Sequence, residues 1–301
     1  MSQNIPTWYA PQYNQNIQML VQQKLTRLRS AVTTASYSGD KASPVDQLGL
    51  VEMQDVTSRF APMGRVDAPL DRRWVAPLDA DLPQLIDSFD KLKLLTDPES
   101  AYVQNAVAAA NRKMDARIGA AFFASALTGV AAGTSTAFDT TNMVVGVNVG
   151  GTASNLNVAK LERGRRLLLA QEALQPGDSI HVAITAVEHE SLMSEIQVIS
   201  MDFNKEVAYD DNGIISKWRG FNFIHSEQSW LTTTATDDQA GSSKAIPMWL
   251  KSGMHLGIWN EIATSIDVRA DLQGRPWQAY TKLSCNATRL EEKKVVKIWC
   301  R

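Results

Sequence analysis

The sequence predicts an α+β fold, on three observations. One long helical stretch begins near Asp97, with apolar residues recurring every three to four positions. The C-terminal third is a succession of strand-like runs separated by turn residues. Between them, short helices and strands alternate without any internal repeat.

The first 45 residues read as an N-terminal arm. After a polar start broken by Pro6 and Pro11, the residues Ile17, Leu20, Val21, Leu25 and Leu28 recur at helical spacing, so an amphipathic helix is expected. Ser, Thr and Gly then punctuate residues 33–43, leaving that helix with little of its own to pack against. Leu20 and Leu25 are therefore candidates for contact with a neighbouring subunit.

Residues 46–95 read as a long two-stranded excursion. Apolar groups around Val51, Met53, Val56 and Phe60, and around Trp74, Val75 and Leu78, are broken by Pro62, Gly64, Pro69, Pro77 and Pro83. An isolated hairpin cannot bury both faces, so it needs a second surface. Arg59, Arg65, Arg72 and Arg73 alternate with Asp55, Asp67 and Asp71. Charges of both signs on such a hairpin suit pairing across a subunit boundary, which makes Arg59, Arg65, Asp67, Asp71, Arg72, Arg73 and Trp74 candidate inter-subunit contacts. Ordinary surface charge is the competing reading.

The long helix has clear start signals, with Asp97 as N-cap, Pro98 at the first helical position and Glu99 complementing the dipole. Its stripe runs through Val103, Val107, Ala110, Met114, Ile118, Ala121, Phe122 and Ser125 to about Thr128, on the order of 45 Å of helix. Residues 131–157 read as a connector of loops and short strands. A second helix is expected over 158–173, with Lys160, Glu162, Arg163, Arg165 and Arg166 on its polar side and Pro176 and Gly177 ending it. Strand at 179–185, helix at 188–200, a strand pair around Gly220, an exposed loop or hairpin tip at 231–244 and several late strands complete the chain.

Composition excludes several functional classes. With 30 basic and 32 acidic residues the net charge is −2, so no bulk field marks nucleic acid as the main partner. Two cysteines without CxxC spacing point to a reducing compartment and to neither zinc nor a disulfide framework. The N-terminus lacks the basic start and apolar centre of a secretion signal. The uncharged stretch 118–138 is too rich in Ala, Gly, Ser and Thr to be a membrane span.

No catalytic motif emerges, and no cofactor or metal is expected. Glu188, His189, Glu190 and Ser191 supply base, acid and nucleophile types, but neighbours on a helix point in different directions; a solvated helix start explains them. The basic run Lys160, Arg163, Arg165 and Arg166 reads as a solvated face, since no aromatics interleave with it.

The order of parts resembles the major capsid protein fold of tailed bacteriophages, named after a Hong Kong coliphage and shared with herpesvirus shells and encapsulins. Three phrases carry the likeness: Asp115-Ala116-Arg117-Ile118-Gly119-Ala120-Ala121 in the long helix, Gly220-Phe221-Asn222-Phe223 with Ser226, and Cys285-Asn286-Ala287-Thr288-Arg289 followed by Val295-Val296-Lys297-Ile298. The resemblance implies an arm (1–45), an extended loop (46–95), a peripheral domain (96–157) with its spine helix over 97–128, a mainly axial domain (158–275) and closing peripheral strands (276–301). It further implies a non-enzymatic subunit assembling with itself into hexamers and pentamers of an icosahedral shell around double-stranded DNA, built in the host cytoplasm and residing in the virion. A separate scaffolding protein and a portal would be partners, with no membrane involved. Lysine-to-asparagine cross-links known in one branch have no matching residue pair here. An encapsulin-like compartment and, from another class, a cytoplasmic hydrolase using His189 are the alternatives.

Overall fold

The computed structural model describes residues 21–55, 58–59, 64–86, 99–149, 153–200, 209–210, 212–237 and 241–301. The start of the arm, with Ile17 and Leu20, lies outside them, as do Asp97 and Pro98 at the head of the long helix.

Among the described residues, three sheets and one long helix, α1 (Glu99–Ala121), organise the fold. The first sheet has the order β1 (Thr33–Ser36), β13 (Met254–Val268), β14 (Trp277–Arg289), β4 (Leu78–Ile86). β1 runs parallel to β13, pairing Thr33 with His255, while β14 is antiparallel to both β13 and β4. Helix α1 lies along this sheet, where Arg117 donates to the carbonyls of Cys285 and Leu78.

The second sheet has the order β7 (Val144–Val145), β15 (Val295–Cys300), β12 (Gly241–Leu250), β8 (Ile180–Ile184), β10 (Phe221–His225), β9 (Lys217–Trp218), with β11 (Thr234–Asp237) also paired to β12. Its central strands are predominantly apolar. Val182, Ala183, Ile246, Met248, Trp249 and Ile298 are all fully buried, as expected of strands covered on both faces. Helix α2 (Val158–Ala170) packs on one face, and Gly164 brings it so close that an added Cβ would lie 2.8 Å from the Met248 sulfur. The third sheet, β2 (Ala42–Leu48), β3 (Leu70–Val75), β5 (Ala126–Thr128), β6 (Thr134–Thr136), carries the hairpin.

Five expectations are corrected. First, the described part of the arm, from Val21, is not an α-helix. It is an extended strap ending in a single 3-10 turn and β1. Nor does it lack packing partners: Leu28, Ala31 and Val32 are buried in the main core. The Asp115 carboxylate of α1 accepts from the backbone N–H groups of Arg27 and Leu28, and the Trp249 indole donates to the Ala31 carbonyl. Second, the long helix ends at Ala121, about 35 Å after Glu99, because residues 126–128 are drawn off as a strand against β3. Third, the excursion is shorter than expected, since β4 leaves it to pair with β14 in the first sheet. Fourth, residues 276–301 do not stay together; β14 serves the first sheet, whereas β15 inserts between β7 and β12 in the second. Fifth, the second helix stops at Ala170, followed by Glu172 at φ 53°.

Candidate assembly surface

The hairpin is built by register. β2 and β3 pair antiparallel from Val45↔Arg73 to Leu48↔Leu70, and beyond them Gly49 N–H donates to Pro69 O. The Asp46 carboxylate receives the Arg72 guanidinium on the surface, a contact that holds Asp46 below its usual range. Past this point the apolar side chains face outward. Leu48, Leu50, Met53 and Leu70 are each at least 69% exposed, and Val51 and Val66 are also exposed. Large apolar side chains this exposed on one hairpin, among the described residues, mark a protein-binding surface.

The root of the hairpin is built in the opposite way. Arg73, on β3, is buried and donates to Glu292 at 2.7 Å; Arg289, fully buried, lies 3.5 Å from the same carboxylate. Arg289 also donates to the carbonyls of Phe122 and Ala124, just past the end of α1. Burial pushes its pKa down, the expected effect of desolvating a cation. Asp71 accepts from Gly129 N–H, Trp74 donates to Gly129 O, and Gln47 donates to Leu290 O. Long reach and a fixed root are thus combined in one element.

The candidate contact residues therefore divide. Arg73 spends its guanidinium inside the chain, and Asp71 and Trp74 have partners within it too. Arg65 and Asp67 pair with each other at 2.7 Å while strongly exposed, and Arg59 is exposed at the far end of the hairpin. In the arm, Leu25 is 74% exposed and Val21 fully so. Leu20 lies outside the described residues. Nothing in the sequence pointed to Glu292, or to Arg289 as a partner of this root, because they lie some 220 residues from Arg73 and no local pattern links them.

The residues weighed for catalysis are held in structural roles. Glu188 is fully buried, not solvated as the sequence reading had it. It closes a capping box with Thr185 at the start of α3 (Ala186–Met193) and faces Lys244 at 3.4 Å. His189 accepts from the Ile215 N–H, and Ser191 donates to its own helix at Val187 O, so the two form no nucleophile–base pair. His225 sits 3.1 Å from Glu227. Lys160 is likewise buried, contrary to the solvated face expected, and donates to the carbonyls of Ser154 and Trp299. Among the described residues no group of His, Cys, Asp and Glu is arranged to hold a metal ion, and no helix is long and apolar enough to cross a membrane.

Comparison with known proteins agrees with this geometry. A family model for phage capsid proteins matches residues 5–301. A search of curated proteins finds no match. Among solved structures, the capsid of cyanophage P-SCSP1u is similar at a TM-score of 0.72 and 12% identity, covering 98% of this chain and 93% of that one. The capsid of cyanophage Pam1 is similar at 0.73 and 8%, over 98% and 97% of the two chains. That of Ralstonia phage GP4 is similar at 0.69 and 10%, over 100% and 97%. Such low identities establish the fold, and the family match establishes the kinship. The chain belongs to the phage capsid protein family and is a major capsid protein, a structural subunit of a virion shell.

Proposed function

We propose that this subunit forms hexamers and pentamers of an icosahedral shell enclosing double-stranded DNA, and that the hairpin of β2 and β3 is its principal grip on a neighbour. The observation that carries this reading is the contrast within one hairpin: an apolar, outward-facing far end and a root clamped by two buried arginines on a partly buried glutamate. A rigid lever with an uncovered apolar end gains its burial only when a second copy covers it, which couples assembly to stability. Arg59, Arg65, Asp67 and Arg72 form the polar rim of that contact, and Leu25 extends it from the arm. In this reading the first and third sheets with α1 make the peripheral part of the subunit. The sheet of β8, β10 and β12 makes the axial part. A separate scaffolding protein and a portal act as partners during assembly in the host cytoplasm.

Leu50→Glu together with Met53→Glu tests this directly. Both side chains are exposed in the subunit, so thermal unfolding should stay within about 0.5 kcal/mol of wild type. Electron microscopy of protein co-expressed with its scaffold should show shells for the wild type and none for the variant. Shells from the double variant would remove the hairpin from the contact. A cargo enzyme in place of DNA inside purified particles would instead favour an encapsulin-like compartment.

A further inference from the structure

We propose that the arginine cluster shared by helix α2 and the β9–β10 hairpin binds the phosphate backbone of double-stranded DNA, with this face of the second sheet turned toward the shell interior. The proposal rests on reading the chain as a DNA-enclosing shell protein and assigns that contact to particular residues.

Two arginines meet here, and Arg166 and Lys217 are their exposed neighbours in sequence. Arg165, on α2, donates to the Arg219 carbonyl at the hairpin tip. Its guanidinium lies 4.2 Å from the Phe221 ring centroid, and that of Arg219 lies 4.9 Å from the Trp218 ring. Both rings are buried, so each guanidinium is held against a fixed aromatic face before any ligand arrives. Arg166 follows Arg165 on the helix, Lys217 precedes the tip on β9, and both are exposed. Glu162 is the carboxylate that pairs within the cluster among the described residues, 3.5 Å from Arg165 and itself 40% exposed.

The backbone at the tip adds an independent observation. Trp218 pairs with Phe221, leaving Arg219 and Gly220 as a two-residue turn with φ of 43° and 82°. A turn of this type requires left-handed conformation at both positions and favours Asn or Gly at the first. An arginine there is strained, and strain retained at an exposed tip points to function. What it presents is a planar fork suited to phosphate. On a chain of net charge −2, such a local excess supplies attraction that the molecule as a whole lacks.

The test is a fluorescence-anisotropy titration of purified subunits with a short double-stranded DNA across a salt series. Each phosphate contact contributes about 0.9 to the slope of log affinity against log salt, so with all four basic residues engaged the wild-type slope should be about −3.6. Arg166→Gln with Arg219→Asn should remove about two units at any DNA sequence, while asparagine preserves the turn. Arg166→Gln with Lys217→Gln repeats the measurement without touching the turn. Arg269→Gln, at the β13–β14 connection, should leave the slope unchanged. An unaltered slope in both cluster variants overturns the proposal, as does loss of shell assembly with DNA binding intact, which would make the cluster a subunit contact. If wild-type protein forms no shells, the assembly reading fails on its own, and the salt slope still reports on the cluster.

Discussion

At Gly119 a Cβ would sit 2.2 Å from the Trp230 indole, so α1 and the short helix α4 (Ser229–Thr232) meet there at close distance. Gly119→Ala should cost about 1–3 kcal/mol in a urea titration, because a rigid indole in a packed interior has little room to yield. His255 makes a second residue-scale case. Thr33 Oγ1 uses its proton on Met254 O, so His255 Nδ1 must donate to Thr33, and Nε2 is left to accept from Tyr37 O–H. The neutral ring satisfies this arrangement, and burial lowers its pKa to about 4. The unfolded chain takes up a proton from about pH 6.5 downward while the folded one does not, so stability is lost between about pH 6.5 and 4. The loss amounts to about 3 kcal/mol. Unfolding free energies of wild type and His255→Gln, compared at pH 7.5 and 4, should differ in their pH dependence by about that amount, with the wild type more sensitive to acid. Neither feature was legible beforehand. A glycine in an Ala-rich helix and a histidine at a strand start give no sign of the partner each will meet, and Lys160 shows the converse, a lysine on an apparently polar face that the fold turns inward.

Elements were legible where their signals were local. Helix α2 begins where the sequence suggests, with Asn157 Oδ1 accepting the Lys160 N–H as its cap, and β8, β10, β15 and the Ile246–Leu250 part of β12 coincide with the expected apolar runs, whereas residues 241–244, expected in an exposed loop or hairpin tip, extend β12 and pair with β11. What could not be read was pairing between distant segments. The end of α1 depends on β5 joining β3, and the arm became a strap because β13 offered it a parallel edge. The hairpin shows the same division: its exposed end was visible in composition, its root was not. Glu292→Gln should expose the importance of that root. It leaves Arg73 and Arg289 buried without a counter-charge, at a cost of about 3 to 5 kcal/mol. Limited proteolysis should then cut the hairpin before the sheets; equal protection in variant and wild type would mean that the hairpin is held by its backbone pairing alone.

For the whole molecule, the α+β class and the shell-protein kinship were visible in the order of parts. The partition into sheets was not, because β14 and β15 are neighbours in sequence yet belong to different sheets. Assembly should redistribute protection unevenly. By hydrogen exchange, amides at 50–55 and 64–68 should be fast in free subunits and slow in shells. Those of Ile180–Ile184 and Ile246–Leu250 should be slow in both, since they already lie in a sheet covered on both faces.

The parallel seat of β1 on β13 also orders events in time. Thr33 must wait for His255, some 220 residues later, and Val144 must wait for Lys297. Contacts of such separation form slowly, after the intervening chain has been made at roughly 5–20 residues per second. A nascent chain therefore holds an incomplete core and an unseated arm. The hairpin root closes only when Glu292 emerges, so the lever acquires its aim late, and a subunit becomes competent to join its neighbours only after the strands flanking Glu292 have been made.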